Sequence, residues 1–469
     1  MGRLERYNLN KRFQLIRYHM YSRGQESGHT RKGTGVNVGH IPPYVFMMML
    51  AFITGLVTGT AAFLLKTSVR WVSDGVTAHM RPDGFNWILL VAPVAGILLT
   101  GIYQRYILHK EIYHGTERIN RAIALHQYRL DGDLTYAPMV ASTITLGFGG
   151  SAGAEGPIAY TGAAIGSNLA RLFGGRSSLV RIMLACGAAA GIAGIFKAPM
   201  GGVFFSLEVL AITLSTPAIM AIVLAAVTAG LTSYVWSGCT TDLPFHATMA
   251  FDWHLMPPVI LLGLFCGIYS FYYSSVMTLM KRRYASMGNP WWKNLLSGSV
   301  LAILVFLFPA LYGEGYSFMS DLLAGNTEAI SSYGLFARYG NYALTPVLLA
   351  LAIIAVKAFA CASSNSGGGV AGDFAPTLMA GCVAGFFFAQ LSNTCFGTQL
   401  PVADFAFIGM GAVMAGAIRA PFMAIFITVE MAQAYDFLFP VTVATAVSYL
   451  VVFCLRRAFR LPSSLPDTY

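Results

Sequence analysis

Apolar residues run through this chain in long blocks, without the alternation of strands or the one-sided stripe of a helix lying on a soluble core. The first block covers about 43–66 and the second about 86–104. Each has the length and composition of a helix that crosses a bilayer. The stretch ahead of them, 1–40, is polar and basic and reads as an amphipathic helix on a membrane surface. Residues 105–133 carry Arg105, Lys110, Arg118, Arg121 and Arg129, and after two crossings they face the same side as the N-terminus.

From Tyr136 the blocks shorten and are cut by glycine and proline, at about 136–147, 157–172, 179–195 and 199–213. Pieces of this kind predict broken or re-entrant helices, tolerated only where they are buried in protein or line a polar cavity. Longer blocks return at 217–236, 256–280 and 293–312, followed by a polar loop at 313–343 and a span at 345–360. A second set of short pieces closes the chain at 374–391, 403–417, 421–433 and 437–454.

The second set repeats the first. Gly194-Ile195-Phe196-Lys197-Ala198-Pro199 matches Gly416-Ala417-Ile418-Arg419-Ala420-Pro421 at an offset of 222, and Glu208 falls on Glu430 at the same offset. Gly153, Pro157, Gly162 and Gly166 fall on Gly372, Pro376, Gly381 and Gly385 at an offset of 219. The division that follows is a basic N-terminal segment 1–42, a first membrane repeat 43–236, a linker 237–255, a second membrane repeat 256–455 and a short tail 456–469. Paired, interrupted segments in two halves point to a transporter with its site at the repeat interface.

Composition agrees with a membrane protein: 56% of residues are hydrophobic, 11% are charged, and the mean hydropathy is +0.62. A soluble enzyme is excluded. The net charge of +10 does not point to nucleic acid, because much of it sits in Arg3, Arg6, Lys11, Arg12, Arg17, Arg23, Arg31 and Lys32. With Arg456, Arg457 and Arg460 at the other end, the positive-inside rule makes both termini cytoplasmic, in a cell inner (plasma) membrane. No cleavable apolar core follows the N-terminal charges. The seven cysteines are scattered without a CxxC pair and read as packing residues. An intramembrane enzyme would need a Ser/His or Asp/Asp pair or an HExxH, and the apolar blocks hold none; no metal and no cofactor is expected.

The chemistry concentrates in Gly147–Gly166, GFGGSAGAEGPIAYTGAAIG. Glu155 is a lone carboxylate among Gly149, Gly150, Gly153 and Gly156, flanked by apolar blocks. An ionisable residue there costs roughly 2.5–3.5 kcal/mol on insertion scales and is a functional candidate by default. A helix predicted to begin at Pro157 turns its free amides and positive dipole end back on the glycines, which makes an anion site. Glu155 is then a tethered anion that occupies the site or leaves it.

These residues resemble the CLC family of chloride channels and chloride/proton exchangers, over roughly 43–455. GSAGAEGP at 150–157 is similar to the family's GxxGxEGP motif, Gly372-Asp373-Phe374-Ala375-Pro376 to its GxFxP motif, and His114-Gly115 to a weak version of its GxGxP motif. The resemblance implies an all-α membrane protein of two inverted repeats built from many tilted and broken helices. It implies a homodimer with one pore per subunit. Chloride, and protons in an exchanger, would be the partners, in a lipid bilayer and with no nucleic acid. The anion would be held by backbone amides, without a metal or a lysine. Glu155 would be the gating glutamate, and Gly156, Asp373, Phe374, His114 and Gly115 the anion contacts.

The chain departs from the family pattern at several positions. Ala154 stands where the family has a basic residue, and His114 where many members have a serine. His114 is either a hydrogen-bond donor to the anion, with a charge that depends on pH, or a solvated loop residue, with Thr116 as the alternative donor. Asp373 would repel an anion, so its side chain is expected to turn away and pair, or to cap the following helix. Val209 stands at the position of the exchangers' inner proton glutamate, and Glu208 before it reads as structural. The family's inner tyrosine has no clear match in Leu461–Tyr469. The same fold exporting another anion, fluoride or nitrate, is the alternative, although Tyr113–Thr116 lacks an asparagine pair.

Overall fold

The structure, a computed structural model, describes residues 42–78, 86–112, 115–210, 215–241, 243–245, 252–326, 330 and 344–459. The basic segment up to residue 41, His114, much of the linker (242 and 246–251) and the tail from Arg460 to Tyr469 lie outside these residues.

The long apolar blocks form the outer helices. They are α1 (Pro43–Thr77), α2 (Ile88–Ile102), α8 (Thr216–Trp236), α9 (Met256–Ala285), α10 (Pro290–Leu307), α12 (Thr345–Ser366) and α16 (Leu438–Ala458). The charged segment 105–133 contributes α3 (Gly115–Ala124), and the polar loop contributes α11 (Tyr316–Leu323). The interrupted pieces form α4 (Ala137–Gly147), α5 (Glu155–Leu172), α6 (Ser177–Phe196) and α7 (Pro199–Phe204) in the first half. In the second half they form α13 (Phe374–Phe396), α14 (Val402–Ile418) and α15 (Pro421–Ala432).

Among the described residues, nine helices are long and apolar enough to span a bilayer. The outer ones expose Phe52, Leu56 and Leu64 on α1, Leu261 and Ile268 on α9, and Leu450 and Phe453 on α16. Trp71, Trp87, Trp236, Trp253 and Trp292 are also exposed, all near the ends of spans. Such a surface suits hydrocarbon with an interfacial aromatic belt. The chain is an integral membrane protein.

Two interrupted pieces are longer than the sequence reading placed them. The pieces at 179–195 and 374–391 are helices of 20 and 23 residues, each long enough to span. Their internal glycines are contact points rather than breaks. A Cβ at Gly187 would strike the Gly162 carbonyl as α6 crosses α5, and a Cβ at Gly381 would strike the Gly409 carbonyl as α13 crosses α14. Small residues let these backbones approach closely, which is how apolar helices associate without a hydrophobic driving force. The run 199–213 shortens instead: α7 ends at Phe204 and a widened, π-type turn covers Phe205–Val209.

The two halves interlock reciprocally. α6 ends on Lys197 and α14 on Arg419, both in the left-handed region with φ of 54° and 65°. The Glu430 carboxylate accepts from the Met200 and Gly201 amides at 3.2 and 3.0 Å, at the start of α7. The Glu208 carboxylate accepts from the Phe422 and Met423 amides at 3.2 and 2.8 Å, at the start of α15. Each half thus satisfies the orphan amides of the other's short helix.

Candidate functional site

The two glycine-rich turns meet in the middle of the molecule. Gly153 N donates to Gly372 O at 3.0 Å, and Gly372 N to Gly153 O at 2.6 Å, a lone antiparallel bridge between the halves. Further bonds fix the junction. Ser151 N donates to Ser364 Oγ at 2.8 Å, Val370 N to Thr145 Oγ1 at 3.0 Å, and the Tyr312 hydroxyl to Gly147 O at 3.0 Å.

Glu155 is 1% exposed and opens α5, two residues ahead of the expected start at Pro157. Proline in the first turn still costs no hydrogen bond, since amides there have no partner within the helix. Glu155 Oε1 accepts from Phe374 N at 2.5 Å and from Ala375 N at 3.0 Å. The carboxylate therefore sits on the N-terminus of α13, in the other half. Free amides and the helix dipole favour an anion at that place. The walls are backbone: a Cβ at Gly153 would overlap the carboxylate, and one at Gly372 would lie 2.6 Å from Oε1.

The expected contacts divide. Phe374 and Glu155 are brought together, and Ala375 joins them. Asp373 stands at the N-cap position of α13 without a side-chain capping bond; its carboxylate turns aside to accept from the Asn365 amide and, at 3.6 Å, from Cys361 Sγ. Gly156 packs its Cα side against Gly372. Gly115 is the first residue of α3, and His114 lies outside the described residues. Val209 is half-buried, and its carbonyl accepts from Asn120 Nδ2 at 3.0 Å.

A cavity of about 1110 Å³ leads from the polar segment towards this junction. Arg105, Lys110, Arg118, Arg121, Arg129 and Lys293 line it, as do Gly368–Ala371, which precede the Gly372 bridge in sequence. Lys110 is partly neutralised by Asp131 and Asp133 at 2.9 and 2.8 Å, and Lys281 by Glu117. The balance of this basic vestibule is attractive to anions.

Two charged groups beside the turn escaped the sequence reading. Glu314 Oε1 accepts from Ala154 N at 2.9 Å. Lys357, with no exposed surface, donates to Ser151 Oγ at 2.9 Å. The amides hold the Glu155 carboxylate, and the lysine bonds Ser151 in the turn ahead of it. The signal was present, since Lys357 interrupts an apolar block just as Glu155 does.

Residues 95–452 match the sequence profile of the family described as voltage gated chloride channel. The chain belongs to this family. Among the relatives of this CLC protein, a putative chloride channel protein ClcB-like from Ralstonia nicotianae is 27% identical, over 86% of this chain and 93% of the relative. An H(+)/Cl(-) exchange transporter ClcA from Vibrio parahaemolyticus is 26% identical, over 85% of this chain and 84% of the relative. The solved structure of a slow cyanobacterial Cl-/H+ antiporter shares the fold with a TM-score of 0.71. It covers 88% of this chain and 95% of its own, at 23% identity.

Proposed function

We propose that this CLC protein moves chloride across a membrane through a pore closed by Glu155. The observation that carries this reading is the Glu155 carboxylate resting on the Phe374 and Ala375 amides, at the meeting point of the halves and beyond a basic vestibule. An ionised carboxylate and a chloride ion compete for the same amides. Protonation discharges the carboxylate, weakens its hold and frees the site. His114, Gly115, Gly156 and the Asp373 amide complete the anion path in this reading. The repeats are 43–236 and 256–455, joined by 237–255. Both halves of the site come from one chain, which supports one pore per subunit in a homodimer. The vestibule cations and Arg456 and Arg457 support a cytoplasmic vestibule and cytoplasmic termini, in the cell inner membrane.

The passive, channel reading is favoured by Val209, which cannot carry a proton, and by Glu208, whose carboxylate is engaged at the start of α15. The relative named as an H(+)/Cl(-) exchange transporter supports the coupled reading. Proton movement in sealed liposomes under a chloride gradient, with the voltage clamped, separates the two. Chloride flux without proton movement supports the channel. Uphill proton movement that disappears in Glu155→Gln makes the protein an exchanger and requires a proton route around Val209. Parallel flux assays with nitrate and fluoride test the anion.

A further inference from the structure

The basic cavity is far larger than a single chloride ion requires. Its volume of about 1110 Å³ stands at the upper end of pockets that enclose whole organic ligands, about 300–1,000 Å³. Its lining holds seven lysine and arginine side chains against three carboxylates, those of Glu111, Glu117 and Asp131.

The charges do not cancel locally. Asp131 is committed to Lys110 at 2.9 Å, and Glu117 to Lys281. Among the described residues no carboxylate pairs with Arg105, Arg121, Arg129 or Lys293. These four come from separate parts of the chain: Arg105 from the turn after α2, Arg121 from α3, Arg129 from the segment that follows it and Lys293 from α10. Arg105 lies over the Trp291 ring, 5.4 Å from its centroid, and Trp291 stacks in turn on Tyr106. Cations gathered in this way repel one another, so the fold carries their arrangement at a cost.

A second feature of the wall points to a ligand. Tyr160 also lines the cavity; it has no exposed surface, and its hydroxyl has no hydrogen-bond partner among the described residues. A buried hydroxyl without a partner costs free energy that a ligand oxygen would offset. Chloride in transit does not account for these features, because a conducting site must release its ion as readily as it binds it. Arginine forks and a hydroxyl donor suit the oxygens of phosphate, and cations from several elements suit several phosphates at once.

We propose that this cavity binds a soluble anion with two or more linked phosphate groups, and that the bound anion occludes the vestibule and slows chloride movement. Arg121, Arg129 and Lys293 supply the charge, Arg105 on Trp291 a fixed edge, and Tyr160 a further donor. Binding stands on the cavity alone; the effect on chloride rests on the reading of this cavity as the vestibule of a chloride pore.

The test is isothermal titration of inorganic triphosphate into the purified full chain, paired with chloride efflux from phosphatidylcholine liposomes with triphosphate on both faces. Triphosphate should bind, and sulfate at equal ionic strength should compete with it poorly. Arg121→Gln and Arg129→Gln should each weaken binding by about tenfold, the scale of one lost charge-assisted hydrogen bond. Efflux should fall on adding triphosphate, and less so in each variant relative to its own efflux without triphosphate. Thermal melting confirms that the variants are folded. No binding to the folded parent overturns the site. Binding that is unchanged in both folded variants, or that sulfate abolishes at equal ionic strength, also overturns it. Binding with unchanged efflux overturns the occlusion. A phosphate-bearing lipid headgroup offers the same chemistry: efflux that falls when phosphatidic acid is added to the liposomes, in a parent that binds no triphosphate, assigns the site to lipid and overturns the soluble ligand. A parent that moves no chloride even without triphosphate overturns the pore reading, while the calorimetry still decides the site.

Discussion

Glu208 and Glu430 perform the same task in opposite halves, each closing the first turn of the short helix that belongs to the other. Each carboxylate is held by two backbone amides of the other half, and the offset of 222 between them in sequence becomes a reciprocal exchange in space. The repeat is therefore held together by its own symmetry: the halves cannot separate without stranding two helix starts. Removing either carboxylate should destabilise the protein by roughly 2–3 kcal/mol, the scale of hydrogen bonds to a charged acceptor. Glu208→Ala and Glu430→Ala should each lower the melting temperature of the detergent-purified protein, with Gln at either site recovering part of the loss. An unchanged melting temperature in both would remove these caps from the account.

Gly372 sets how closely Glu155 approaches the amides. A methyl group there would stand 2.6 Å from Oε1 and 2.6 Å from the Gly156 nitrogen, so the carboxylate and the start of α5 cannot both keep their places. Gly372→Ala should therefore raise chloride flux at neutral pH and flatten its response to acid. Flux as tightly closed at neutral pH as in the parent would mean that the carboxylate does not need this space.

Val209 tests the distinction between channel and exchanger from the other side. Its carbonyl already pairs with Asn120, and its side chain is only half-buried, so a longer side chain can be accommodated there. Val209→Glu should introduce proton movement coupled to chloride in liposomes where the parent shows none. If the parent already exchanges protons and Val209→Glu leaves the stoichiometry unchanged, the proton travels elsewhere.

Much of the site could be read from residue order. Glycine and proline marked the turn ahead of α5, although the helix opens at Glu155 rather than at Pro157, and Glu155 stood out because a lone carboxylate in an apolar block is costly. The helix lengths of α6 and α13 were misjudged because glycines that serve close packing look, in sequence, like glycines that break a helix. Ala375 was invisible: which amide of a first turn faces a carboxylate depends on how two halves dock. Glu314 lay in a polar loop, where an acid carries no signal. Lys357 carried the same signal as Glu155 and was legible by the same rule.

Chloride efflux from liposomes carrying the parent chain or Glu155→Gln, measured across acid and neutral pH, tests the competition between carboxylate and anion most directly. The carboxylate holds the amides only while ionised, so lowering the pH should protonate it and increase efflux in the parent. Glu155→Gln should be open at every pH, with efflux at neutral pH at least equal to that of the parent in acid. Abolished efflux in a folded Glu155→Gln, or a parent whose efflux falls as the pH falls, would contradict the account.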